Sequence, residues 1–238
     1  MSDTLDLVMV AYNEAESIEK VLQTFYAVIT QYTKVKIIVA EDGSTDGTRD
    51  ILKRLAKEMP LKLVLAEERR GYTKAVNDAI MAATNDVILF MDADGQYLPE
   101  DFPALFASWN TDDKDMIIGE KILRQDSPYR IFTSWVYNSI VNLLFNAPFK
   151  DMNCSYRLIK KELAQTIAPQ CQLLPYSYWT EFTVRAHRMG YKVLTVPISH
   201  RDRLSGASRI YPTKKLPSIA IKQLRGLYTF YRELRSYN

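Results

Sequence analysis

Val87-Ile88-Leu89-Phe90-Met91-Asp92-Ala93-Asp94-Gly95-Gln96 is the stretch on which the reading of this chain turns. Five apolar residues closed by acid and glycine predict a buried strand, too short for a helix. Two aspartates, one residue apart, then stand where the strand meets its loop. Carboxylates at the end of a buried strand are costly unless a cation neutralises them. A hard divalent ion such as Mg²⁺ or Mn²⁺ suits them, because it takes oxygen ligands and shares them with water and substrate phosphate. An Asp-x-Asp by itself also serves as a turn or helix cap, so its neighbours must decide.

Upstream, strand and helix patterns alternate. Apolar runs at Leu5–Val10, Val35–Ala40, Leu61–Ala66 and Val87–Met91 predict strands. Ser17–Tyr32, a segment following Asp46 or Thr48 as far as Lys57, and Thr73–Ala83 predict helices. That alternation implies right-handed crossovers and a mainly parallel α/β sheet. Ligands of such sheets bind beyond the carboxyl ends of the strands, and the polar clusters at 12–14, 41–48 and 92–96 all fall there. Downstream the pattern loosens. Met116–Gly119 and Lys192–Val196 read as strands; Tyr129–Phe145, Leu158–Ala168, Thr180–Met189 and Ser218–Tyr237 read as helices.

The chain has 238 residues, 47% of them hydrophobic and 25% charged, with a net charge of +3. These are ordinary proportions for a globular domain with a substantial core. Residues 201–238 hold nine basic residues against two acidic ones, a charge of +7, while the first 200 carry −4. A basic tail favours an anionic partner. We divide the chain into a domain over 1–211 and a basic amphipathic helical tail over 212–238. Cys154 and Cys171 match no metal spacing, so a reducing, cytoplasmic setting is expected. The N-terminus lacks the pattern of a signal peptide, and no apolar run reaches the roughly 18 residues of a membrane span.

Three motifs, Val8-Met-Val-Ala11-Tyr12-Asn13-Glu14, Glu41-Asp42-Gly43-Ser44-Thr45-Asp46-Gly47-Thr48 and Asp92-Ala-Asp94-Gly-Gln96, resemble in order and spacing the inverting glycosyltransferases of family 2, with a GT-A fold. Asp151-Met-Asn-Cys-Ser-Tyr-Arg157 and Arg201-Asp-Arg203-Leu-Ser-Gly206-Ala-Ser208-Arg209 are similar to segments of the dolichyl- and polyprenyl-phosphate sugar synthases. The resemblance covers roughly residues 5–210. It implies transfer from a nucleoside diphosphate sugar, GDP-mannose or a UDP-sugar, with Asp92, Asp94 and Gln96 around the metal. Ala11, Tyr12, Glu14, Asp42 and Lys74 would line the donor pocket, and Arg203, Ser208 and Arg209 would close on the diphosphate. Asp94, Arg203 and Arg130 are the implied catalytic groups.

An acceptor phosphate is already an anion and needs positive groups rather than a strong base. Lys121, Arg124, Arg130, Ser134, Asp151 and Arg157 stand where the resemblance puts that site. A saccharide or other hydroxyl acceptor would need a carboxylate base, for which Glu181 is the candidate. A third reading is a catalytically silent nucleotide-binding scaffold. The chain departs from the family pattern at Ala11, Thr73, Lys121, Ser155-Tyr156 and Arg209. The apolar face of Tyr129–Phe145 suits either a core helix or a lipid contact. The tail suits a peripheral place on the cytoplasmic face of a membrane, or packing on the domain. A membrane protein or a second copy of the chain stays open as a partner. Nucleic acid is not expected, since no base-stacking motif accompanies the basic tail.

Overall fold

The computed structural model describes residues 4–111, 113–124, 128–201 and 216–236. Chain order runs β1 (Thr4–Ala11), α1 (Ile18–Ile29), β2 (Lys34–Glu41), α2 (Thr48–Leu55), β3 (Leu61–Leu65), α3 (Tyr72–Met81) and β4 (Val87–Asp92). There follow α4 (Phe102–Thr111), β5 (Met116–Arg124), α5 (Pro128–Phe145), β6 (Arg157–Lys160), α6 (Lys161–Ile167), α7 (Tyr178–Arg188), β7 (Val193–His200) and α8 (Leu216–Ser236). Seven strands among the described residues form one sheet in the order β3-β2-β1-β4-β6-β5-β7. Only β6 pairs antiparallel with its neighbours.

The central strands β1 and β4 are mainly apolar because the sheet is covered on both faces there. Leu7, Val8, Met9, Ile37, Val39, Ile88, Leu89, Phe90 and Met91 are all sealed from solvent or nearly so. α1 turns Ile18, Val21, Leu22, Phe25 and Ile29 onto the sheet, the spacing of one helical face. The chain winds outward from β1 to β2 and β3, then returns to lay β4 on the other side of β1. This reversal opens a crevice at the carboxyl ends of β1 and β4. Register aligns its rim, with Val10 opposite Asp92 and Ala11 opposite Glu41.

The structure departs from the sequence reading at three points. The segment from Leu158 is not one helix: Arg157–Lys160 is a strand wedged between β4 and β5, and the helix begins at Lys161. Both neighbours of β6 come from distant sequence, so four residues suffice to make a strand. α4 was not anticipated; it packs Phe102 and Leu105 into the core. β5 and β7 also run further than expected, to Arg124 and His200.

α8 is docked rather than free. Val141 and Phe145 of α5, Val184 of α7, and Leu227 and Phe230 of α8 build a second hydrophobic cluster. The rings of Phe145 and Phe230 lie 5.0 Å apart. Gly226 permits the approach, because a Cβ there would stand 2.5 Å from the carbonyl oxygen of Leu173. Glu233 completes the attachment by pairing with Arg185 at 2.8 Å.

Candidate active site

The loops after β1 and β2 are stitched together by hydrogen bonds. Asn13, at a left-handed φ of 55°, donates its N–H to Ser44 Oγ at 2.9 Å and accepts from the Thr45 N–H through Oδ1 at 2.7 Å. The Glu14 N–H reaches Thr48 Oγ1 at 2.8 Å, and the Ala15 N–H reaches Asp46 Oδ2 at 3.1 Å. Asp46 also accepts from the N–H and hydroxyl of Thr48. Burial opposes ionisation of Asp46, yet the bonds from Thr48 and Ala15 outweigh it and hold the carboxyl below its usual range. Gly47, not Asp46 or Thr48, is the residue at the cap of α2.

Asp42 is buried and holds the next loop, its oxygens accepting the Arg70 N–H at 2.7 Å and the Gly71 N–H at 2.9 Å. Gly43 (φ 71°) lies so close to Glu68 and Arg69 that a Cβ would come within 2.5 Å of their backbone. Arg69 lays its guanidinium 4.1 Å from the centre of the Tyr12 ring. Ala11, Tyr12, Asp42 and Arg69 thus share one lip of the crevice. Glu14 turns inward, its Oε2 accepting from Ser17 Oγ at 3.0 Å. Lys74 is exposed and pairs with Asp78, which also pairs with Arg70 at 2.7 Å.

Asp92 and Asp94 sit at the end of β4, as expected. Asp92 Oδ1 accepts from the Tyr72 hydroxyl at 2.8 Å and Oδ2 from the Ser155 hydroxyl at 2.7 Å. Trp179 Nε1–H donates to the Tyr72 oxygen at 2.8 Å, and the Tyr97 hydroxyl lies 2.9 Å from Ser155 Oγ. Burial, reinforced by Asp92, pushes the Tyr72 phenol far above its ordinary range, so it remains a donor. Asp94 is buried and accepts the Gln96 N–H at 3.1 Å. Gln96 Nε2 donates to the Arg201 carbonyl at 3.3 Å, and the Arg201 guanidinium returns a bond to the Gly95 carbonyl at 2.7 Å. Gln96 therefore joins the carboxylates to the start of the basic segment. Arg203, Ser208 and Arg209, in that segment, lie outside the described residues.

Among the described residues no three His, Cys, Asp or Glu side chains gather into a protein-only metal cage. The pair Asp92 and Asp94 fits a hard divalent ion whose remaining ligands come from water and phosphate. His200 packs edge-on against Tyr97, ring centres 5.7 Å apart.

On the far side of the carboxylates, Lys121 of β5 faces Asp151 at 3.4 Å, both largely buried. The loop from Asp151 to Ser155 thereby runs from that ion pair to Asp92. Ser134 lies on α5, its carbonyl taking a bond from Asn138 at 2.8 Å. Arg124 closes β5 and Arg130 lies in the first turn of α5.

Two expected site residues are elsewhere. Arg157 is wholly buried, and it is no surface ligand for an acceptor. Its guanidinium donates to the carbonyls of Met152 and Cys154 and to Thr183 Oγ1, and lies 4.2 Å from the Trp179 ring centre. Desolvation pulls its pKa down to about 10. It anchors the 151–155 loop from beneath. Glu181 is also sealed in: it accepts the N–H groups of Gln172, Leu173 and Leu174 and pairs with Arg185 at 2.8 Å. So placed, it is a structural tie rather than a base facing a substrate. Cys154 and Cys171 are buried free thiols.

Tyr72, Tyr97, Ser155, Trp179 and Arg69 were not singled out from sequence for the places they take. Tyr72 stands in the Arg70-Gly71-Tyr72-Thr73-Lys74 run, but nothing in that run shows a phenol reaching across to β4.

A family profile for glycosyl transferase family 2 matches residues 6–168. Over 230 residues the chain is 26% identical to an undecaprenyl-phosphate 4-deoxy-4-formamido-L-arabinose transferase of Photorhabdus laumondii, covering 94% of this chain and 68% of that protein. Over 210 residues it is 25% identical to a dodecaprenyl-phosphate galacturonate synthase of Rhizobium johnstonii, covering 86% of this chain and 61% of that one. Both relatives are thus longer than the chain. Its fold matches glucosyl-3-phosphoglycerate synthase of Mycobacterium tuberculosis in complex with UDP, with a TM-score of 0.69 at 18% identity over 96% of this chain and 80% of that one. It also matches a mannosyltransferase of Pyrobaculum calidifontis in complex with GDP-Man and Mn²⁺, with a TM-score of 0.67 at 22% identity over 98% of this chain and 64% of that one. The two solved structures share the fold of the chain, and with its profile match spanning more than half its length the chain belongs to glycosyl transferase family 2 and is a glycosyltransferase.

Proposed function

We propose that the chain transfers a sugar, with inversion, from a nucleoside diphosphate to polyprenyl phosphate, with Mg²⁺ or Mn²⁺ held by Asp92 and Asp94. One observation carries the metal and donor reading: two carboxylates stand at the switch point of the sheet, beside the lip formed by Tyr12 and Asp42. A bound ion would supply positive charge to the departing diphosphate. The fastened loops 11–17, 41–48 and 69–72 hold the nucleotide in one orientation, which lowers the entropic cost of reaction. An acceptor phosphate oxygen forms its bond to the anomeric carbon as the bond to the diphosphate breaks on the opposite face. That acceptor is already ionised, so the burial of Glu181 costs the reaction nothing; a hydroxyl acceptor would lose its candidate base.

The named activities of the two polyprenyl-phosphate relatives support this acceptor class. So does a surface suited to a membrane interface. α5 exposes Ile131, Phe132, Trp135 and Leu143, and α8 exposes Ile221, Leu224 and Tyr228 beside exposed Lys222, Arg225, Arg232 and Arg235. Apolar side chains with adjacent basic ones favour an anionic leaflet, each cation contributing about 1 kcal/mol. No helix among the described residues is long and apolar enough to cross a membrane. In this reading the chain works as a peripheral protein on the cytoplasmic face.

The test offers the purified chain Mn²⁺ or Mg²⁺ and a panel of GDP- and UDP-sugars, with polyprenyl phosphate or saccharide as acceptor. Metal-dependent lipid-linked product is expected. Transfer to saccharide alone would refute the acceptor, and nucleotide binding without turnover on any acceptor would make the chain a scaffold.

A further inference from the structure

Two hydrogen-bond relays converge on Asp92. In the first, Trp179 Nε1–H donates to Tyr72, whose hydroxyl donates to Asp92 Oδ1, both at 2.8 Å. The indole proton occupies the phenol oxygen and leaves the Tyr72 proton aimed at the carboxylate. In the second, Tyr97 accepts the Ser155 N–H at 3.2 Å and lies 2.9 Å from Ser155 Oγ, whose proton goes to Asp92 Oδ2 at 2.7 Å. Trp179, Tyr97 and Ser155 are buried, so neither relay is readily replaced by water.

The two hydroxyls come from opposite sides of the crevice. Tyr72 follows Gly71, whose N–H is held by Asp42 on the donor side. Ser155 ends the loop that begins at Asp151, paired with Lys121 on the other side. A carboxylate oxygen has two lone-pair positions, and one hydroxyl leaves the second open to a cation. The carboxylate is thus held in one rotation by two donors, while both its oxygens can still bind a metal.

We propose that Tyr72 and Ser155 are positioning residues that together orient Asp92 toward the metal and link the 69–72 and 151–155 loops through that one carboxylate. The inference rests on the metal-dependent reading above and adds the groups that make Asp92 a directed ligand. Removing such partners of a metal ligand typically weakens metal binding by about 10–100-fold.

The experiment measures Mn²⁺ binding to the full chain by calorimetry and electron paramagnetic resonance, with GDP or UDP present, for wild type, Tyr72→Phe, Ser155→Ala and the double variant. The expected result is a Mn²⁺ dissociation constant raised about 10-fold in each single variant and toward 100-fold in the double. Nucleotide affinity without metal should stay close to wild type, while the loss of buried hydrogen bonds lowers the melting temperature. A purely structural role would lower the melting temperature but leave the Mn²⁺ affinity of the folded chain unchanged. Unchanged or tighter Mn²⁺ binding in the double variant overturns the proposal, as does failure of both single variants to fold. Wild type that binds no Mn²⁺ with either nucleotide overturns the metal reading itself, a result distinct from wild-type binding that the variants do not disturb.

Discussion

The two sides of the crevice are held by different means. On the β3-β2-β1-β4 side, loops are tied by short polar bonds between neighbours: Asn13 to Ser44 and Thr45, Glu14 to Thr48, Asp42 to Arg70 and Gly71. On the β6-β5-β7 side the ties are buried charges and aromatic packing. Arg157 sits under the 151–155 loop, and Glu181, Arg185 and Glu233 join α7 to α8. Backbone-level ties suit a pocket for a compact, rigid ligand. Buried ionic ties let a second set of elements be attached to the same sheet, at the cost of desolvating several charges. Asp92 touches both systems.

The sharpest break in this comparison is at the carboxylates. Asp94→Asn keeps the size of the side chain and an acceptor for the Gln96 N–H. We expect transfer to fall about 10²–10³-fold with the melting temperature unchanged, measured by product formation and calorimetry. Wild-type turnover with metal still bound would remove the assigned role of the pair.

Next comes Glu181→Gln, which tests the far side. Glu181 is 1% exposed and pairs with Arg185 at 2.8 Å. Breaking such a pair from one end costs about 3 kcal/mol or more. Thermal or denaturant unfolding should show that loss, while turnover per folded molecule stays near wild type. The reverse pattern, intact stability and lost turnover, would restore Glu181 as a base and favour a hydroxyl acceptor.

These two residues also show why one side was more legible than the other. The first four strands were readable because central parallel strands are nearly continuous apolar runs, and their carboxyl ends announce themselves in polar residues. Asp92 and Asp94 were found that way. Arg157 and Glu181 were noticed from sequence, but a residue's type does not reveal which way it points. β6 carries only Arg-Leu-Ile-Lys between polar and helical segments, so no alternation marks it as a strand. The docking of α8 depends on which of its faces meets α5 and α7, and its amphipathic pattern alone fits membrane contact as well as packing.

Gly226→Ala tests that docking with a smaller change. In an exposed helix, alanine would stabilise by roughly 1 kcal/mol. Here the new Cβ meets the Leu173 carbonyl at 2.5 Å and Leu174 Cδ2 at 2.9 Å. The helix must shift, and overpacking of this kind costs about 1–3 kcal/mol. A lower melting temperature is the expected outcome; a higher one would mean that α8 leaves the domain readily and that its contact with α5 is incidental.

The smallest effect concerns the near side and comes from pH. The hydrogen bonds to Asp46 hold its carboxyl below the ordinary value of 3.8. A carboxyl depressed in the folded state contributes stability above its unfolded value and loses it as pH falls through its folded value. Asp46→Asn removes that dependence while keeping an oxygen to accept from Ala15 or Thr48. At neutral pH wild type should therefore melt higher than the variant, by about 1–2 °C given how exposed Asp46 is. The gap should close below about pH 4, and taking the difference between the two proteins cancels every other group titrating there. A gap that stays constant to pH 3 would mean that the β1 and β2 loops are joined by the geometry of their hydrogen bonds alone. The near side would still keep the buried Asp42 carboxylate and the pair of Glu41 with Arg49, so charge would hold the 69–72 loop while the junction of the β1 and β2 loops would not depend on it.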